Sequence, residues 1–119
     1  MEFKKETIKE ARAIKITAYE DGRQVGRAYL YILRNDLHKE PFGYLEDVFV
    51  EEAFRKHGIG SQLVQKAIVE AKVQGCYKLI GTSRQANKSV HGFYERLGLR
   101  RWGYEFRTDL KASQPKQGD

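Results

Sequence analysis

The stretch Arg55-Lys56-His57-Gly58-Ile59-Gly60-Ser61 joins two glycines to two fixed cations, directly after an apolar run ending at Val50 and before a helical pattern carrying Leu63. A helix N-terminus has unpaired backbone N–H groups and partial positive charge, and glycines allow a phosphate close to the backbone. The chemistry suggested is capture of a phosphorylated ligand. A tight turn, with glycines chosen only for backbone angles, fits the same letters. Two common nucleotide loops fail on spelling. No Gly-x4-Gly-Lys-Ser/Thr string occurs. A dinucleotide fingerprint needs Gly or Ala three residues after Gly60, where the chain has Leu63.

The elements around this loop can be read from periodicity. Arg12 to Tyr19 and Arg23 to Leu33 are rich in Ile, Thr, Tyr, Val and Leu, with Glu20-Asp21-Gly22 between them. An Asp-Gly pair supplies the positive backbone angles of a tight turn, so these segments are predicted to form a hairpin. Arg34 to Phe42 is polar, contains a Pro and reads as a loop, and Gly43 to Glu51 reads as a third strand. From Gly60 the spacing becomes helical, with Leu63, Val64, Ala67, Ile68 and Ala71 on one face and Gly75 as the stop. Cys76 to Gly81 has the length of a buried strand. A second helix is expected from about Asn87, with Val90, Phe93, Tyr94 and Leu97 on one side and Gly98 at its end. Arg101 to Leu110 reads as a last strand, and the polar 111–119 tail as disordered. The predicted fold is a single α/β (α+β) domain over 1–110, a mixed sheet whose later part is built from strand-helix-strand crossovers. Such sheets bind ligands beyond strand ends where the strand order changes.

Composition narrows the classes. A chain of 119 residues with 40% hydrophobic residues fits one domain with a modest core. Its one cysteine, Cys76, cannot form an internal disulfide, so a reducing cytoplasm is expected. The segment MEFKKETIKEARAIK is too charged for a signal peptide or a membrane span, and a soluble protein is expected, with no membrane partner. The net charge of +6 could attract nucleic acid, but acids are mixed among the bases and no run of five or six cations occurs. That patterning argues against nucleic acid. His57 and His91 are too far apart in sequence to read as metal-ligand spacing, so no metal is expected. Cys76 opens a short apolar strand and reads as a small core residue.

The segment LEDVFVEEAFRKHGIGSQLV (45–64) resembles the acetyl-CoA-binding core of the GNAT superfamily of N-acetyltransferases, with Arg55, Gly58 and Gly60 filling its Arg/Gln-x-x-Gly-x-Gly/Ala signature. NKSVHGFYERLGL (87–99) follows at the distance usual in that family, and the resemblance runs from about Tyr19 to Leu110. It implies that backbone groups of Val48, Phe49 and Val50 pair with the pantetheine arm. It also implies that Arg55, Lys56, His57, Gly58, Ile59, Gly60 and Ser61 hold the pyrophosphate, Arg55 as a flanking cation. Asn87 matches a pantetheine contact and Tyr94, seven residues on, matches the tyrosine near the thioester sulfur. Each has a plainer reading beside this one. Asn87 is also a preferred helix cap, and Tyr94 lies on the apolar stripe of its helix.

Glu46 and Asp47 precede the pantetheine-binding segment, and LEDVFV is similar to the string in members acting on polyamines and other small amines. The resemblance implies acetyl transfer to an amine in a ternary complex, with Glu46 as base, Tyr94 as acid, and Glu46 and Asp47 drawing in a cationic acceptor. Neighbours on a regular strand face opposite ways, so both acids can serve one site only if the strand is bulged. Solvent-exposed or salt-bridged acids are the alternative. A rival from another class is a domain that holds acyl-CoA or a protein without turnover, against which Tyr94 argues. An acceptor on a protein N-terminus or lysine also stays open. One departure from the family stands out, because many members have two helices between the first two strands. This chain passes through Asp21-Gly22 instead, which suggests that a second subunit, in a homodimer, covers the open side.

Overall fold

The computed structural model describes residues 1–83 and 88–111. Its elements run β1 (Ala11–Glu20), β2 (Arg23–Leu33), β3 (Phe42–Val50), α1 (Ile59–Val73), β4 (Leu79–Gly81) and α2 (Lys88–Arg96), with a single 3₁₀ turn at Glu52–Phe54. The strands form one mixed sheet in the order β1-β2-β3-β4, antiparallel except for the parallel β3/β4 pair. The predicted α/β class and strand-helix-strand crossover are both present.

The hairpin turns at the expected place. Asp21 and Gly22 have φ of 50° and 78°, the left-handed angles that a turn matching the sheet twist requires. From Gly26 onward β2 alternates. Ala28, Leu30 and Ile32 are buried on one face, while Arg27, Tyr29 and Tyr31 are half-buried on the other. The helical stripe Leu63, Val64, Ala67 and Ala71 packs against the buried face together with Leu45. Phe93 and Tyr94 of α2, with Leu97 just after it, join the same core. Both helices therefore sit on one side of the sheet.

Two elements differ from their expected form. The predicted strand from Cys76 is only Leu79–Gly81, because the residues before it are used to leave the helix. Gln74, Gly75 and Cys76 N–H groups bond the Glu70, Lys72 and Ala71 carbonyls and close the helix, and only from Tyr77, whose N–H bonds the Pro41 carbonyl at 3.0 Å, does the chain reach the edge of β3. Cys76 itself packs against Leu30, Ile32 and Ala71, as a core residue does, and burial pushes its thiol pKa up. The last predicted strand is a correction: Arg101 to Leu110 forms no strand and lies exposed, with Trp102, Tyr104, Phe106 and Leu110 in solvent. Alternation gave it a face, but no neighbouring ladder receives it. Positions 112–119 of the predicted tail lie outside the described residues.

Candidate functional site

β3 and β4 pair only from Gly43 with Leu79 to Leu45 with Gly81. β4 ends at Gly81, so among the described residues the Glu46–Val50 half of β3 has no strand partner on that edge, a gap in the pairing. The loop following β3 leads straight into α1.

At that helix start Gly58 is the cap residue, with φ 81°, and no side chain bonds the first-turn N–H groups. The left-handed angle accounts for glycine at 58, and a Cβ there would meet open space. Gly60 lies inside the first turn, where a Cβ would come 3.6 Å from Phe93 Cζ and 3.9 Å from Val50 Cγ2. The first turn also carries no acidic residue. Its free N–H groups form the anion-attracting end expected from the sequence. Lys56 and His57 are exposed beside it, and Lys56 too has a positive φ of 68°. Arg55 turns back instead. Its Nε donates to the Val50 carbonyl at 2.8 Å and its guanidinium lies 5.5 Å from the Phe49 ring centre, tying the loop to the end of β3.

The condition set on Glu46 and Asp47 is met by a bulge. Tyr29 pairs with Glu46, but Arg27 pairs with Phe49, so β3 spends three residues where β2 spends two. The extra residue is Asp47, whose φ is 53°. Val48 and Val50 consequently pack toward the core, while Glu46 and Phe49 keep to the other face. Tyr31 lies diagonally across the β2/β3 ladder from Glu46, one same-face position along from Glu46's partner Tyr29. Its pKa is raised by burial first, then by the negative charges of Glu46 and Asp47. Both carboxylates thus lie within electrostatic reach of one tyrosine.

That tyrosine belongs to an aromatic row. Tyr31 stacks on Tyr29 with ring centres 6.5 Å apart and meets the edge of Tyr44 at 6.5 Å, and Tyr44 Oη lies 3.2 Å from Thr82 Oγ1. Lys15 sits over Tyr29 at 5.8 Å. Sequence reasoning treated these tyrosines only as strand formers. The letters R-A-Y-L-Y on a strand with one buried face already send Arg27, Tyr29 and Tyr31 together to the other.

An added Cβ on Gly81 would be 3.9 Å from Tyr94 Cζ and 4.0 Å from Leu45 Cβ, which places the Tyr94 ring beside the last pair of the β3/β4 ladder. Burial raises its pKa. It packs with Phe93 at 5.5 Å between ring centres and touches the core, so the stripe reading and the position beside the ladder's end coexist. Asn87 lies outside the described residues. Gly60 at the helix start thus lies beside Val50 and Phe93, and Tyr94 beside Gly81 and Leu45, at either end of the unpaired half of β3. Among the described residues no cluster of three potential metal ligands occurs, and no helix is long and apolar enough to cross a membrane.

Comparison with known proteins follows the same outline. Residues 2–99 match the acetyltransferase (GNAT) family. The chain is 37% identical over 90 residues to glucosamine 6-phosphate N-acetyltransferase of Trypanosoma brucei brucei, covering 75% of this chain and 59% of that protein. It is 38% identical over 84 residues to human N-alpha-acetyltransferase 30, covering 68% of this chain and 23% of that protein. The crystal structure of a Trypanosoma brucei acetyltransferase superposes with a TM-score of 0.74 at 31% identity, over 82% of this chain and 69% of that one. The chain thus spans less than two thirds of the length of either curated relative. With a family match covering most of its length and a shared fold, the chain belongs to the GNAT acetyltransferase family.

Proposed function

We propose that this chain is an N-acetyltransferase that moves the acetyl group of acetyl-CoA onto a primary amine, a small cationic amine, by direct attack in a ternary complex. The observation that carries the reading is the edge of β3 left unpaired where β4 ends, with a helix start lacking a side-chain cap beside Val50 and with Tyr94 beside Gly81. Acetyl-CoA fits the donor set. N–H groups at the start of α1, with Lys56 and His57 beside them, suit a pyrophosphate, and Arg55 acts through the loop it anchors rather than as a free cation. The half of β3 from Val48 to Val50 offers main-chain groups to an extended amide arm, as an unpaired strand does. Asn87 is assigned to the same arm.

Acetyl transfer requires a neutral amine, a polarised carbonyl and a proton for the departing sulfur. Glu46, directly or through water, takes the proton from the ammonium. A main-chain N–H near Val48 to Val50 polarises the carbonyl, and Tyr94 returns a proton to the sulfur. Holding amine and thioester in register supplies much of the acceleration. The 1–110 stretch is taken as the acting domain, and the lone Cys76 fits a reducing, cytoplasmic setting.

Glu46 and Asp47 are assigned to attracting the acceptor's positive charge. A thiol-release assay with acetyl-CoA and an amine panel tests this, the panel holding spermidine, kanamycin, glucosamine 6-phosphate and a peptide with a free N-terminus. Dicationic amines should be the preferred acceptors, and Glu46→Gln with Asp47→Asn should lower their kcat/KM about tenfold or more, the effect of removing close charge partners. Unaltered efficiency with every accepted amine would end the steering reading. Preference for the phosphorylated sugar or the peptide would redirect it.

A homodimer is assigned to the open side, since both described helices pack on the face carrying Ala28 and Leu45 and leave the Tyr29, Tyr31 and Tyr44 face half exposed. Light scattering at assay concentration should give twice the chain mass. A fully active monomer would dispose of the dimer.

A further inference from the structure

Arg27 makes three contacts across two strands, and all of them converge on the bulge. Its Nη1 donates to the Asp47 carbonyl at 2.8 Å in a partly buried bond. Its guanidinium lies 4.9 Å from the Phe49 ring centre and 6.0 Å from that of Tyr29, the residues flanking the register shift on the two strands. Asp47 has the left-handed φ of 53°, which an L residue adopts at a cost and which Asp tolerates better than most. Without the bulge Asp47 would face opposite to Glu46.

We propose that Arg27 is a positioning residue that clamps the β3 bulge and so holds the Glu46 and Asp47 carboxylates on the same side of the sheet. The guanidinium suits the task. It is planar, stacks on aromatic faces while donating in its own plane, and stays charged at every working pH. Phe49 fixes its position along β3, Tyr29 fixes it along β2, and the carbonyl of the strained residue accepts its proton. Arg27 is engaged with Asp47, Phe49 and Tyr29 and is assigned no contact with either reactant. Its effect on acetyl transfer runs through Asp47, so the inference rests on the acceptor-binding reading of Glu46 and Asp47 given above.

The test uses the full chain with Arg27→Met, which keeps apolar contact with both rings but removes the donor, and Arg27→Lys, which restores a donor. In ¹³C,¹⁵N-labelled protein the Asp47 Cα and Cβ shifts report its backbone region independently of activity. Arg27→Met should move them from left-handed toward extended values, and Arg27→Lys should keep them left-handed. In the thiol-release assay Arg27→Met should lower kcat/KM for the preferred amine about tenfold, the factor associated with one lost charge-assisted hydrogen bond, and Arg27→Lys should recover most of it. Left-handed shifts in Arg27→Met would overturn the clamp, as would moved shifts with unaltered kcat/KM. Moved shifts in a chain whose unsubstituted form acetylates nothing would retain the clamp and reject the acetyltransferase reading. If Arg27→Met does not fold, Arg27→Leu, which also lacks a donor, takes its place under the same criteria.

Discussion

Tyr94→Phe should lower kcat by about 10²- to 10⁴-fold when chemistry limits turnover, the range general acids contribute, while leaving the affinity for acetyl-CoA nearly unchanged. The ring lies beside the last pair of the β3/β4 ladder, with Cζ 3.9 Å from the position of a Gly81 Cβ. Phe preserves that packing and its contact with Phe93, so only the hydroxyl is removed. Burial raises the Tyr94 pKa above the ordinary tyrosine value, which means the phenol keeps its proton throughout the neutral range. An acid must carry its proton to donate it, so loss of the Tyr94 proton should cut activity only on the alkaline side of that ordinary value. A fall in kcat at lower pH that persisted in Tyr94→Phe would belong to another group. Unaltered kcat in Tyr94→Phe, with chemistry shown to be limiting, would remove the acid role and leave the proton to water or the acceptor. A large drop in Tm would instead indicate a structural hydroxyl.

The second large effect is expected at the start of α1. Gly60→Asp and Gly58→Asp each place a carboxylate among N–H groups assigned to the pyrophosphate, and acetyl-CoA binding should fall beyond detection in calorimetry. Losing two charge-assisted hydrogen bonds of roughly 1.5–3 kcal/mol each corresponds to about 10²- to 10⁴-fold in Kd. The two sites carry different controls. Gly58 has open space around it but a φ of 81°, so Gly58→Asn, tolerant of that angle and uncharged, isolates backbone strain. Gly60 faces Phe93 at ordinary contact distance, so Gly60→Ala isolates crowding. Binding retained by a folded Gly60→Asp chain would take the loop out of the site, and most of the proposed function with it.

Much of this arrangement was legible in residue letters. Asp21-Gly22 announced the hairpin because few other pairs accept two left-handed angles, and the Leu63, Val64, Ala67, Ala71 stripe announced α1 because only a helix brings those positions to one face. Gly58 and Gly60 were legible as a helix-start loop. The direction of Arg55 was not, since a side chain that bonds the Val50 carbonyl and one that points at solvent share the same sequence. The bulge escaped for a different reason. It is a mismatch between β2 and β3, so neither LEDVFV nor RQVGRAYLYIL contains it alone. The segment after Gly98 misled because alternation of Trp102, Tyr104 and Phe106 specifies a strand's faces without specifying a partner. The role read for Asn87 concerns a position outside the described residues.

The brevity of the parallel pairing has a mechanical consequence. β1 registers with β2 over ten positions and β2 with β3 over seven, against three between β3 and β4, so the sheet has a fault line at its parallel seam. Opening along it breaks few bonds, and amides on the β4 side belong to a less stable cooperative unit than the antiparallel meander, with faster hydrogen exchange. A ligand lying in the gap and touching both β3 and the α2 side bridges that fault. Such a ligand disfavours opening of the seam, and the chain's resistance to proteolysis there is expected to go on rising with the logarithm of ligand concentration after the site is saturated.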